Sequence, residues 1–218
     1  MSSAALFTKP SYADADKVGD CPFTHFVLMA FHIAGKSATP VPTKRDNKPQ
    51  WLMDQHNGSM PCLAPNGVAD GTDSVSDSMQ IATQALPPTP VDDASLAAAQ
   101  GFFPSIAKLI KNKDAPGEGG DAELREGLTA ALTKLDAHLK ATGSSYFSGA
   151  APGFADASIA TKLFVISVAC AHYKAYTLDA AALPTLAAYQ ERIFAHPAFA
   201  ETKYDPADAI TGWGEARG

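Results

Sequence analysis

Leu86-Pro87-Pro88-Thr89-Pro90 cuts this 218-residue chain in two. Proline lacks a backbone donor and its ring clashes with the preceding helical turn, so no helix runs through this stretch. Upstream of it, short apolar runs alternate with amphipathic ones. Downstream, every apolar pattern has the helical period. The order predicts an α/β unit over residues 1–86, a linker at 87–91 and an all-helical unit over 92–218.

Within the first unit, Ala4 to Lys9 reads as a short strand followed by a polar loop through Tyr12 and Asp16. Phe23, Phe26, Val27, Ala30 and Phe31 recur at three- and four-residue steps after Cys21-Pro22, and Gly35 closes that helix. Ser37 to Thr43 is extended but holds Pro40 and Pro42, which confines it to a sheet edge. Lys48-Pro49-Gln50-Trp51 opens a short helix that ends by Asn57-Gly58. Met60-Pro61-Cys62-Leu63 begins another strand, Ser74-Val75-Ser76 a further one, and Asp77-Ser78 starts a helix through Ile81 and Leu86.

Beyond the linker, Asp92 to Lys113 reads as helical and carries Leu96, Phe102, Phe103, Ile106 and Ile110. Asp114 to Gly120 has the character of a disordered loop. Leu124, Leu128, Leu132, Leu135 and Leu139 form one stripe on a helix over Glu123 to Lys140. Asp156 to Tyr176 is apolar nearly all round and predicts the buried central helix, with Gly153 capping its start and Asp156 near the positive end of its dipole. Leu183 to Ala195 is a further helix stopped at His196-Pro197, and the tail from Ala198, with Trp213, packs on the surface.

Composition excludes several functions. The formal net charge is −6 and no Lys/Arg cluster suits a phosphate backbone, so nucleic acid is not a partner, although a local basic patch suits a small anion. The longest apolar stretch, Leu163 to Ala171, falls short of the ~20 residues of a membrane span and reads as core. The amino terminus lacks the pattern of a secretory signal, and Asp14 and Asp16 fit a transit peptide poorly. The expected compartment is the cytoplasm, or the plastid if a transit peptide has been trimmed. Three cysteines without a C-x-x-C pair suit a reducing compartment. His25 and His32 share a helix face, but two histidines make a poor metal site, so no metal is expected.

The chemistry centres on Gly19-Asp20-Cys21-Pro22-Phe23-Thr24. Pro22 suits the first helical position, and the residue before a proline is pushed into the extended geometry an N-cap needs. Cys21 is therefore predicted to cap the helix, its sulfur accepting from the N–H groups of Phe23 and Thr24 and its anion favoured by the dipole. Both effects lower a thiol pKa from ~8.5 toward ~7. Asp20 opposes them; Lys9, if the first strand ends beside this helix, offsets Asp20. Cys62, in a strand, and Cys170, in an apolar helix, read as inert core. Met60-Pro61 is placed for a cis bond, which leaves the Met60 backbone free to pair with a peptide as an added strand. Asp77-Ser78 offers N–H groups, a hydroxyl and a carboxylate to one end of a small zwitterionic peptide.

Gly19-Asp20-Cys21-Pro22-Phe23, Asn47-Lys48-Pro49-Gln50-Trp51, Met60-Pro61, His172-Tyr173-Lys174 and Gly212-Trp213 together resemble the glutathione-dependent dehydroascorbate reductases of plants and algae, over nearly the whole chain. The resemblance implies a glutathione-transferase fold, with a thioredoxin-like glutathione-binding domain at 1–86 and a helical domain at 92–218. It implies reduction of dehydroascorbate to ascorbate by two glutathiones, with Cys21 as nucleophile, oxidised by substrate and resolved through a mixed disulfide. It assigns Lys9 and Asp20 to the substrate, and Lys48, Met60, Pro61 and the Asp77-Ser78 pair to glutathione, a co-substrate; no cofactor is bound permanently. Met60 replaces the usual valine, Gly153 the usual threonine, and a longer turn after Cys62 leaves Asp73-Ser74 as an alternative to Asp77-Ser78. Omega- or lambda-type thiol transferases share the Cys-Pro-Phe start. So do the intracellular chloride-channel proteins, but here the apolar run 26–34 is followed at once by Gly35, Lys36 and two prolines, which argues against stable membrane association. The polar outer stripe of the Glu123 helix gives no sign of a dimer surface, so a monomer is expected.

Overall fold

The computed structural model describes residues 4–218. Its three-stranded sheet has the order β2-β1-β3. β1 (Ala5–Thr8) pairs in parallel with β2 (Thr39–Pro42) and antiparallel with β3 (Cys62–Ala64), with Phe7 opposite both Val41 and Cys62. The two prolines put β2 at the edge, where a missing donor costs nothing. β1 is buried throughout, and its alternation serves two layers. Leu6 joins Val27 and Phe31 of α1 (Pro22–Ile33) and Ile81 and Ala85 of α3 (Ser78–Ala85) on one side. Ala5 and Phe7 meet Leu52 and Trp51 of α2 (Gln50–His56) on the other. The strand expected at Ser74-Val75-Ser76 shrinks to a single bridge, Val75 to Leu63, because Asp77 already caps α3 two residues later.

The helical half opens at Pro90 rather than Asp92. Thr89 accepts from the Asp92 N–H while Asp92 accepts from the Thr89 N–H at 2.8 Å, a reciprocal cap that starts α4 (Pro90–Ala98). The single helix expected over Asp92 to Lys113 is broken at Gly101, whose φ of +82° only glycine adopts without strain, and α5 (Phe102–Lys111) follows. α6 (Asp121–Thr142) presents Leu128, Leu132, Leu135 and Leu139 to the core.

The central helix is α7 (Phe154–Val165), which runs through a π turn at Ile166–Cys170 into α8 (Ala171–Lys174). Buried Asp156 accepts from the N–H groups of Phe147 (2.9 Å), Ser148 and Gly153 (both 3.0 Å), so the glycine start is capped from inside the helix. Phe154–Lys174 is long and apolar enough to cross a membrane, but 78% of its most apolar window lies inside the protein. α9 (Pro184–Ala195) follows. The tail, expected only to pack on the surface, forms two helices, α10 (Pro197–Ala200) and α11 (Pro206–Arg217), and buries Trp213. The loop read as disordered is tied down: Gly120 N–H donates to Asp114 (2.9 Å), Gly117 N–H to Asp121 (2.7 Å), and Lys174 Nζ to the Asp114 carbonyl (2.8 Å).

Candidate active site

β1 ends at Thr8, and the chain leaves it in a loop that returns to its starting point. Gly19 N–H donates to the Lys9 carbonyl at 2.8 Å. A Cβ at Gly19 would stand 2.2 Å from the Pro10 carbonyl oxygen, so only glycine lets the loop close this tightly. The closure brings Asp20 to Lys9, whose Nζ lies 2.7 Å from Oδ1. Asp20 is buried and Lys9 half-exposed. Burial holds the Asp20 carboxyl above the usual carboxylate range, with Lys9 pulling the other way. Burial also works against the Lys9 cation, but its hydrogen bonds to Asp20 and Tyr12 outweigh that and raise it.

Cys21 follows as the N-cap of α1, with φ −82° and ψ 111°, and Pro22 occupies the first turn. Its backbone carbonyl takes the first helical bond, from His25 N–H at 3.0 Å. The sulfur does not accept from Phe23 or Thr24, which corrects the expected side-chain cap. Cys21 is half-buried and lines two clefts instead. The other thiols are buried, and burial pushes Cys62 up to about 11 and Cys170 up to about 12. Neither can supply a thiolate near neutral pH.

The first cleft, about 540 Å³, brings Cys21 together with Lys9, Tyr12, Lys44, Arg45, Lys48, Met60 and Glu215. Four cations against one carboxylate suit an anionic ligand. Lys48 Nζ donates to the Gly58 carbonyl at 2.7 Å. The Met60–Pro61 bond is cis, and among the described residues the Met60 backbone makes no hydrogen bond. The second cleft, about 350 Å³, shares Lys9 and Cys21 with the first, and Phe23, Phe103 and Trp213 give it an apolar wall. Phe23 and Phe103 meet edge to face at 5.1 Å.

Asp77 and Ser78 do start α3, and Asp77 accepts from Gln80 N–H at 2.8 Å. They do not line either Cys21 cleft. Asp73-Ser74 is no helix start: Asp73 has a φ of +59°, and Ser74 Oγ is held by His56 (2.7 Å) and the Gly71 carbonyl (2.7 Å). Among the described residues no group of three or more His, Cys, Asp and Glu side chains is placed to hold a metal ion. Of the residues named in the first cleft, sequence reasoning did not single out Tyr12, Lys44, Arg45 and Glu215. Lys44-Arg45 beside Lys48 is a visible basic cluster in an acidic chain, whereas nothing local links Tyr12 to a residue 203 positions away.

Residues 95–192 match the family described as glutathione S-transferase, C-terminal domain. The chloroplastic glutathione S-transferase DHAR3 of Arabidopsis thaliana is 29% identical over 229 residues, covering 98% of this chain and 82% of that one. The chain is thus similar to glutathione transferases, with its helical half matching their C-terminal domain. Among these it resembles the DHAR proteins, which include both chloroplastic and cytosolic forms. The fold matches the crystal structure of Chlamydomonas reinhardtii dehydroascorbate reductase with a TM-score of 0.80, at 24% identity and covering 98% of each chain. Human chloride intracellular channel protein 3 is 28% identical over 194 residues, covering 78% of each chain.

Proposed function

We propose that this protein reduces dehydroascorbate to ascorbate at the expense of two glutathiones, through the single thiol of Cys21. The observation that carries the reading is one accessible cysteine, at a helix start, in a cationic cleft that also holds Lys9 of the Lys9–Asp20 ion pair. Its two companions are buried, so no resolving thiol is at hand and an external one must complete the cycle.

The Cys21 thiolate adds to an electrophilic carbonyl of dehydroascorbate, and the Lys9 ammonium, held by Asp20, receives the charge that develops on oxygen. A glutathione thiolate then attacks Sγ. The bond from sulfur to the substrate breaks, its electron pair returns to the ring as the ene-diolate of ascorbate, and Cys21 is left in a mixed disulfide. If water attacks Sγ first, the same bond to the substrate breaks and ascorbate leaves Cys21 as a sulfenic acid, which glutathione converts to the same mixed disulfide with loss of that water. The second glutathione attacks that disulfide, releasing glutathione disulfide and the Cys21 thiolate. Two thiols have lost two electrons and the substrate has gained them.

Lys44, Arg45 and Lys48 face the carboxylates of glutathione, and the unpaired Met60 backbone, set by the cis Pro61 bond, takes its peptide groups as an added strand. Asp77 uses one oxygen for its cap and offers the other, with the Ser78 hydroxyl, to the γ-glutamyl end of an extended glutathione. Free thiols fit a reducing compartment such as the cytoplasm, and the polar outer stripe of α6 favours a monomer. The decisive test is glutathione-coupled formation of ascorbate by wild-type and Cys21→Ser protein. Wild-type turnover abolished in the variant is expected; equal turnover in both would remove the mechanism. Faster turnover on a general disulfide such as hydroxyethyl disulfide than on dehydroascorbate would make it a thiol transferase instead.

A further inference from the structure

The loop between Lys9 and Gly19 is anchored to α11 at two points. Asp208 Oδ1 accepts from Ser11 Oγ at 3.0 Å and from Tyr12 N–H at 2.8 Å. Further along the same helix, the Tyr12 hydroxyl donates to Glu215 Oε2 at 2.5 Å and accepts from Lys9 Nζ at 2.9 Å. An ionised carboxylate can only accept, so Glu215 fixes the direction of the phenol proton and turns the oxygen lone pairs toward Lys9. The Lys9 ammonium therefore has two fixed partners, Asp20 and Tyr12, and also lies 4.5 Å from the Tyr12 ring centroid. An ammonium on a four-carbon stem has three donors. With Asp20 alone it pivots about one carboxylate; with a second anchor its third N–H has a defined direction. Lys9, Tyr12, Glu215 and Cys21 all line the same cleft.

We propose that Tyr12, oriented by Glu215 of the C-terminal helix, is a positioning residue that fixes the Lys9 ammonium in the Cys21 cleft, so that its free N–H meets the substrate oxygen on which charge develops. This rests on the reading of Cys21 as a nucleophile toward a carbonyl. It makes α11 part of the site, because the partner that directs the phenol comes from there. Tyr12 acts through Lys9 and not on the reacting atoms.

The test measures kcat and KM for dehydroascorbate, the rate of Cys21 alkylation by iodoacetamide at one neutral pH, and Tm. The proteins are wild type, Tyr12→Phe, Glu215→Ala, Glu215→Gln and the Tyr12→Phe/Glu215→Ala double variant. Tyr12→Phe and Glu215→Ala should each slow alkylation and lower kcat/KM about fivefold, mainly through kcat, the size expected for losing one solvent-exposed hydrogen bond. The double variant should be no worse than the poorer single one, because both act through one hydroxyl. Glu215→Gln, which still accepts from the phenol, should keep most of the wild-type rate. Additive losses, or a lowered Tm with wild-type alkylation and kcat/KM, would overturn the proposal and leave the pair as a purely structural tie. A wild-type protein inactive on dehydroascorbate would sink the substrate assignment alone, since the alkylation rates still decide the role of Tyr12.

Discussion

Asp20 leaves no room for a side chain at position 212: a Cβ on Gly212 would stand 1.8 Å from Asp20 Oδ2. Helix α11 thus rests its backbone on the carboxylate that pairs with Lys9. Gly212→Ala must displace either the helix or Asp20, and the side chain is the softer of the two. We expect ascorbate formation to fall about tenfold, consistent with the cost of small displacements in a catalytic constellation. Gly127→Ala, on the exposed face of α6 with open space around it, is the control and should be neutral or stabilising by about 0.5–1 kcal/mol. Equal activity in Gly212→Ala and wild type would show that the Asp20 position is not critical.

The Lys9–Asp20 pair explains how a carboxylate can stand next to the Cys21 sulfur. Asp20 is buried beside Cys21, and Lys9 at 2.7 Å neutralises it. Lys9→Gln leaves that carboxylate uncompensated next to the thiol, so alkylation of Cys21 at neutral pH should slow about tenfold, the effect of one unscreened neighbouring charge. Lys9→Gln/Asp20→Asn removes both charges and should recover most of the alkylation rate while ascorbate formation stays low. Failure of the double variant to recover alkylation would show that Lys9 does more for the thiol than cancel Asp20.

The features legible in the sequence are those with a local cause. Pro22 sets the start of α1 and the cap geometry of Cys21, the Asn57 turn ends α2, and Asp77 caps α3 from its own side chain. Two departures from the expected pattern have local signals: Gly101, which divides the helix expected over Asp92 to Lys113, and Asp205-Pro206, a cap followed by a first-turn proline, ahead of α11. Others have none. The loop 114–120 looks disordered because the lysine that orders it, Lys174, lies 60 residues downstream of Asp114. The Tyr12–Glu215 contact closes only when the tail helix returns to the first strand. The Cys21 sulfur leaves the helix N–H groups alone, a matter of side-chain rotamer that backbone patterns do not determine.

His25, on α1 but turned away from the clefts, predicts acid lability. Its ring is buried among Phe199 (4.9 Å), Tyr204 (5.6 Å) and Phe164 (6.0 Å). Burial pushes it down to about 3, against ~6.5 in an unfolded chain. Between those values the unfolded state holds the proton and the native state does not. The contribution of His25 is therefore complete above ~6.5 and is lost as pH falls, by up to ~1.4 kcal/mol per pH unit. Asp20 and Asp156, whose carboxyls burial raises, act in the opposite sense, so the readout is the difference between wild type and His25→Asn. Between pH ~7 and ~4.5 the wild-type Tm should fall more steeply than that of the variant. Parallel curves would mean that His25 is protonated in the native state.

The last prediction concerns the ion pair that anchors the loop before α6. Asp121 and Lys174 are both fully buried and lie 2.8 Å apart. Asp121 also accepts from Gly117 N–H at 2.7 Å and from Arg125 Nε at 2.5 Å, and Lys174 also donates to Asn112 Oδ1 at 3.0 Å. Burial alone would raise the Asp121 carboxyl, but Lys174, Gly117 and Arg125 outweigh it and hold it at about 2. A carboxyl depressed in this way stabilises the fold above its unfolded value of ~3.9 and loses that contribution as pH falls through the native value. Removing one partner from a buried pair strands the other charge, typically at a cost of ~3–5 kcal/mol. Lys174→Met should lose about 3 kcal/mol at neutral pH, at the low end of that range because Arg125 remains. It should also make residues 112–120 the first segment cut by limited proteolysis, since Asn112 and the Asp114 carbonyl lose their shared donor. Adding Asp121→Asn should recover part of the stability but not the protection, because the neutral pair no longer leaves a buried charge while the loop still lacks its anchor. A Lys174→Met protein with wild-type stability and an uncut loop would show that Arg125 alone carries the anchor.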